Sequence, residues 1–119
     1  MNSHHTINYL EMPVNDIQST KRFFTNVFNW DFVDYGPDYS CFLNAGITGG
    51  FYTSKQQFTL IKGSPLVVLY SNALTQTLQQ VIAAGGIVSK DIFSFPGGHR
   101  FYFLDPNGNE FAVWSEKFA

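Results

Sequence analysis

The chain has a single cysteine, Cys41, among 119 residues, which excludes an internal disulfide framework and leaves the fold to a packed core. Charge of either sign is sparse: seven basic against nine acidic residues give a net charge of -2. That balance offers no electrostatic footprint for a phosphate backbone, so nucleic acid is not an expected partner. Long apolar runs are missing as well. Nothing approaches the roughly 20 consecutive apolar residues that span a bilayer, and the opening Met1-Asn-Ser-His-His5 lacks the apolar segment of a signal peptide. The expectation is a soluble, cytoplasmic protein with no membrane partner. Histidine is scarce too: His4 and His5 lie at the start and His99 just before Arg100, a scatter that suits surface positions better than a ligand set.

Aromatic residues are what the chain has in quantity. Thirteen Phe within a 45% hydrophobic composition place it among globular proteins, far from the disordered class. At this length one domain fits, with roughly two thirds of the unfolded surface buried. A repeat decides how that domain is built. Arg100-Phe-Tyr-Phe-Leu-Asp-Pro-Asn-Gly-Asn-Glu-Phe-Ala-Val-Trp114 reads as strand, turn and strand, and Tyr39 to Leu43 followed by Asn44-Ala-Gly46 is its weaker copy. Each copy is preceded by an apolar segment running into a polar helix start, Ile7 to Val14 before Asn15-Asp16 and Leu66 to Tyr70 before Ser71-Asn72. Two modules offset by about 60 positions follow, each strand, helix, strand, strand, strand.

Periodicity predicts the first helix from about Asp16 to Phe28, with Asp16 as its cap, Ile17, Thr20, Phe24, Val27 and Phe28 as its apolar face and Asn29 as its stop. Trp30 to Tyr35, Tyr39 to Asn44 and Ile47 to Thr53 are expected as strands. Residues 54–64 read as the connector between modules of about 5–53 and 65–116. A second helix, about Ala73 to Ala84, is capped by Ser71 or Asn72, faced by Leu74, Leu78, Val81 and Ile82, and ended by Gly85-Gly86. Ile87 to Lys90 is a short expected strand, and Asp91 to His99 an expected loop hinged at Gly97-Gly98.

Three segments, Ile7 to Ile17, Phe23 to Trp30 and Asp105-Pro-Asn-Gly-Asn109, resemble the vicinal oxygen chelate superfamily, the glyoxalase, bleomycin resistance and extradiol dioxygenase group. The resemblance covers nearly the whole chain. It implies an α+β fold in which two βαβββ modules form a curved, eight-stranded mixed sheet around a cavity, helices outside, in a homodimer. It also implies four positions at which metal-dependent members place His or Glu, because a divalent cation there binds two neighbouring substrate oxygens. Here those positions hold Tyr9, Gly50 or Phe51, Pro65 and Ala112, so no bound metal and no cofactor are expected.

Strand alternation then suggests what lines the cavity instead. Tyr9, Glu11, Tyr39, Cys41, Tyr52, Arg100, Tyr102 and Trp114 share the expected inward parity, with Gly50, Leu104, Glu110 and Ala112. Such a lining suits a small hydrophobic or aromatic ligand, stacked on rings and oriented by Arg100, Glu11 and the Tyr hydroxyls. A filled interior would use the same rings, and Cys41 equally suits a small core position. The expected function is metal-free binding of an aromatic or antibiotic-like compound. The alternative is a glyoxalase- or lyase-like enzyme with Glu11 as general base, and a third possibility is a vestigial cavity whose surface serves association.

Overall fold

A computed structural model describes residues 2–117. The polypeptide divides into two compact units, the boundary falling between Gln56 and Gln57, and each contains one four-stranded mixed sheet and one α-helix.

The first unit runs β1 (Leu10–Val14), α1 (Ile17–Phe28), β2 (Asp31–Asp34), β3 (Tyr39–Leu43) and β4 (Gly49–Thr53). Asp16 starts α1 by accepting the Ser19 amide at 3.2 Å, and Asn29 stops it in the left-handed region at φ 60°, as the short polar side chain allows. Sheet order is β1-β4-β3-β2, with β1 parallel to β4. One sheet face carries Met12, Val14, Phe42 and Phe51, all buried together with Ile17, Phe23 and Phe24 of the helix and Trp30 beyond it. Rings dominate this core. Phe24 stacks on Trp30 with centroids 4.7 Å apart, and Trp30 meets Phe42 at 4.9 Å, geometry that adds about 1 kcal/mol per pair to the area term.

The second unit runs β5 (Val67–Tyr70), α2 (Leu74–Ala83), β6 (Ile87–Phe95), β7 (Gly98–Leu104) and β8 (Glu110–Ser115), in sheet order β5-β8-β7-β6. Its core face carries Phe101, Phe103, Phe111 and Val113, each fully buried, with Leu74, Leu78 and Val81 from α2. The turn between β7 and β8 is built on Asp105. Its Oδ1 accepts the amides of Asn107 at 3.0 Å and Asn109 at 2.9 Å, and its Oδ2 accepts Asn107 Nδ2 at 3.0 Å. Burial raises the Asp105 pKa and these hydrogen bonds oppose the shift. The turn also holds residues 57–60 in place. Asn109 Oδ1 accepts the Phe58 amide at 3.0 Å, Phe58 O accepts the Glu110 amide at 2.9 Å, and Phe58 packs edge-on against Phe111. These connector residues therefore belong with the second unit, although they have no regular period of their own.

Several expected boundaries move. The segment 91–99 is not a loop. β6 continues through Phe95 and returns at Gly98 after a two-residue turn, so Gly97-Gly98 closes a hairpin and does not act as a hinge. Two register shifts, between Val88 and Lys90 and between Lys90 and Phe93, are β-bulges that break the period-two pattern on which the strand reading relied. Ile82 is 49% exposed, and Thr77 takes the buried helical position instead. Ala73 is the N-cap residue of α2, with Ser71 supporting it by accepting the Ala73 amide at 2.9 Å. β1 begins at Leu10, which leaves Ile7 84% exposed ahead of the ladder.

Candidate functional site

In each unit the sheet face turned away from its helix carries the polar and aromatic residues. In the first unit the ladder sets Glu11 opposite Gly50, Gly50 opposite Cys41, and Tyr39 opposite Tyr52. Tyr9 precedes β1 by one residue and joins the same group through its hydroxyl, which lies 2.5 Å from Tyr39 Oη and 3.2 Å from Cys41 Sγ. Tyr39 in turn donates to Glu11 Oε2 at 2.9 Å. Tyr9 is 40% exposed, so the group sits at a surface. Its electrostatics disfavour tyrosinate. Burial and then the bonds to Tyr9 and Glu11 push the Tyr39 pKa well above 10.0. The Tyr9 pKa is raised chiefly by its bond to Cys41.

In the second unit Arg100 pairs with Trp114 and Tyr102 with Ala112 across β7 and β8, opposite in parity to Phe101 and Phe103. Because of the bulges, Lys90 and Phe93 both face this way, paired with Tyr102 and Arg100, although they are three positions apart. The Arg100 guanidinium lies over Phe93, Phe95 and Tyr102 at 5.4, 5.0 and 5.5 Å from the centroids. Lys90 Nζ lies over Phe93 at 4.3 Å and Tyr102 at 5.8 Å. Trp114 meets Tyr70 at 5.3 Å and Phe95 at 6.2 Å, both edge-on. Lys90, Phe93, Phe95 and Tyr70 were absent from the expected lining. The alternation of Phe93 and Phe95 was a strand signal, but the bulges hid which face it served.

Glu110 has a local structural role. Its Oε1 accepts the Leu60 amide at 2.9 Å and its Oε2 the Ser89 hydroxyl at 2.7 Å. A separate cleft of about 330 Å³ in the first unit is bordered by Gln18, Lys21, Arg22, Trp30 and Phe32. Lys21 there already pairs with Asp34 at 2.9 Å, a bond that holds the Asp34 pKa below its ordinary value.

The metal implied by the resemblance can be tested against the residues present. Gly50, not Phe51, is the residue on the polar face, since Phe51 is in the core. A Cβ at Gly50 would come within 2.4 Å of Tyr39 Oη and 2.5 Å of its ring, so the phenol occupies the space a ligand side chain at position 50 would need. Ala112 holds the matching place in the second unit, opposite Tyr102. Val68 faces Ala112 as Glu11 faces Gly50, which makes Leu66, not Pro65, the counterpart of Tyr9. Neither offers a donor. Among the described residues no three His, Cys, Asp or Glu side chains gather as a metal-binding group. These residues do not fit a divalent cation, which prefers several imidazole, thiolate or carboxylate donors.

The fold agrees with the comparisons. Residues 6–113 match the model of the Glyoxalase/Bleomycin resistance protein/Dioxygenase superfamily. The chain belongs to that family, the vicinal oxygen chelate superfamily. A glyoxalase/bleomycin resistance protein/dioxygenase family enzyme from Burkholderia phytofirmans superposes with a TM-score of 0.78 at 16% identity, covering 92% of this chain and 98% of that one. Lactoylglutathione lyase from Agrobacterium tumefaciens gives 0.68 at 15% identity, with 96% of both chains covered. The fosfomycin resistance protein FosX from Mesorhizobium loti gives 0.72 at 14% identity, covering 96% of this chain and 93% of that one. Identities this low speak for the shared fold alone. No curated protein sequence matches significantly. No helix among the described residues is long and apolar enough to cross a membrane.

Proposed function

We propose that this protein is a small-molecule binding member of its superfamily that holds a flat aromatic or antibiotic-like ligand without a metal ion. The observation that carries the proposal is Gly50, where a Cβ would meet the Tyr39 phenol at 2.4 Å: the second of the four ligand positions is filled by a phenol bonded to Tyr9 and Glu11. Trp114, Tyr102, Phe93 and Phe95 supply the stacking surface that such a ligand needs. An enzymatic role of the glyoxalase or lyase type would rest on Glu11 as general base, and one oxygen of that carboxylate already accepts the Tyr39 hydroxyl. The same proposal has the chain working in the cytoplasm as a homodimer, a state consistent with the exposure of Ile61 and Ile87 and checked by light scattering on the purified protein.

The test is a fluorescence titration of protein dialysed against a chelator with a set of small aromatic compounds. Quenching should persist in Trp30→Phe and vanish in Trp114→Phe. Binding that appears only when a divalent metal is restored would contradict the proposal.

A further inference from the structure

The polar face of the second unit carries two cations, Lys90 and Arg100, and neither is ion-paired with a carboxylate. Among the described residues the one ion pair is Lys21–Asp34, in the first unit. The second unit has four carboxylate side chains, and each has a hydrogen-bond partner other than these cations: Asp91 accepts the Ile92 amide, Asp105 lies buried in its turn, Glu110 accepts Leu60 and Ser89, and Glu116 accepts the Tyr70 hydroxyl. Lys90 and Arg100 meanwhile lie over the same two rings, Phe93 and Tyr102. Arg100 Nε is buried without a hydrogen-bond partner. Ring faces attract each cation, but they offer no acceptor to a guanidinium N–H and do nothing about repulsion between two like charges.

Resting on the small-molecule function proposed above, we propose that its ligand is an aromatic carboxylate. The planar carboxylate sits between Lys90 and Arg100, and the ring stacks among Phe93, Tyr102 and Trp114. The guanidinium fork matches two carboxylate oxygens at once, whereas the Lys90 ammonium acts as a point charge. Both cations are thereby compensated by a group the chain itself does not supply.

The experiment compares 2-naphthoate with the uncharged 2-naphthamide by calorimetric titration of the full chain. The carboxylate should bind at least ~10-fold more tightly than the amide, the scale of a charged hydrogen bond, and should weaken as salt screens the cations. Arg100→Gln should weaken naphthoate by ~10-fold or more and naphthamide distinctly less, so that the preference for the carboxylate collapses, and Lys90→Gln should do the same to a smaller extent. Arg100→Lys keeps the charge and should fall between, which guards against a folding defect in the Gln variant, as does a melting curve for each protein. Equal affinity for both compounds, both weakened in Trp114→Ala, would overturn the anion claim and leave the aromatic function standing. Failure of both to bind would overturn the two together. Inorganic phosphate competing as well as naphthoate would overturn the aromatic part of the ligand assignment.

Discussion

The two units repeat one strand order, β1-β4-β3-β2 and β5-β8-β7-β6, yet their polar faces differ in chemistry at matched positions. Tyr39 and Arg100 hold equivalent places, as do Cys41 and Tyr102, Gly50 and Ala112, and Tyr52 and Trp114, judged by the partners each has across its ladder. In the first unit the side chains satisfy one another: thiol, two phenols and a carboxylate form a single connected set. In the second they do not, and two cations rest on rings. A duplicated scaffold thus keeps its hydrophobic faces, where packing constrains every residue, and lets the opposite faces diverge. The self-satisfied face is suited to rigidity and the unsatisfied one to a ligand.

The largest expected effect concerns the turns that hold the two copies. Gly46 and Gly108 both sit in the left-handed region, at φ 92° and 87°, but a Cβ at Gly46 meets open space while one at Gly108 meets Gln57 Nε2 at 2.6 Å. Gly108→Val should cost about 3 kcal/mol through backbone strain and displacement of Gln57 from its bond to Asn107 O, and Gly46→Val clearly less, by denaturant unfolding of both. Equal losses would break the distinction between the turns. Next, Trp114→Ala should reduce affinity for an aromatic ligand by about 2 kcal/mol, the scale for truncating a buried anchor, with the melting curve still cooperative. A ligand indifferent to Trp114 would place binding elsewhere.

Smaller changes sharpen the first-unit side of the comparison. Tyr39→Phe removes the hydroxyl shared by Tyr9 and Glu11 and should lower stability by about 1 kcal/mol, measured by urea unfolding at neutral pH. The smallest effect is in pH dependence. A Tyr39 pKa raised above 10.0 in the folded chain means that its contribution is fully present below pH 10 and is lost as pH rises through the raised value. Tyrosinate absorbance should therefore show Tyr39 ionising later than an ordinary tyrosine, and stability should fall in the same alkaline range. In Tyr39→Phe the latest of these steps should be lost, while Tyr9 and Tyr70 still ionise above their ordinary value. Six simultaneous ionisations near pH 10 would refute the hydrogen-bonded cluster.

Much of the fold was legible because two modules state it twice. The turn at Asp105, the cap at Asp16 and the stop at Asn29 each depend on a local property of one residue type, a side-chain acceptor or tolerance of positive φ. The strand alternation of Phe101 and Phe103 likewise follows from period two alone. Reading failed where local rules were broken by pairing: the β6 bulges put Lys90 and Phe93 on one face, and no pattern in Ile87 to Phe95 announces that. Cys41, Tyr9 and Tyr39 were visible as same-parity residues, but that they bond to one another was not. Their contact depends on the missing side chain at Gly50, a close approach that becomes apparent only with the neighbouring strand in place.

The central claim, that this member of the superfamily binds its ligand without a metal, is tested most directly by elemental analysis of the purified protein after exhaustive dialysis. The account predicts zinc, nickel, manganese and iron each far below one per chain, with naphthoate affinity unchanged by a chelator. Any one of those metals near one per chain, removed by the chelator together with ligand affinity, would contradict it.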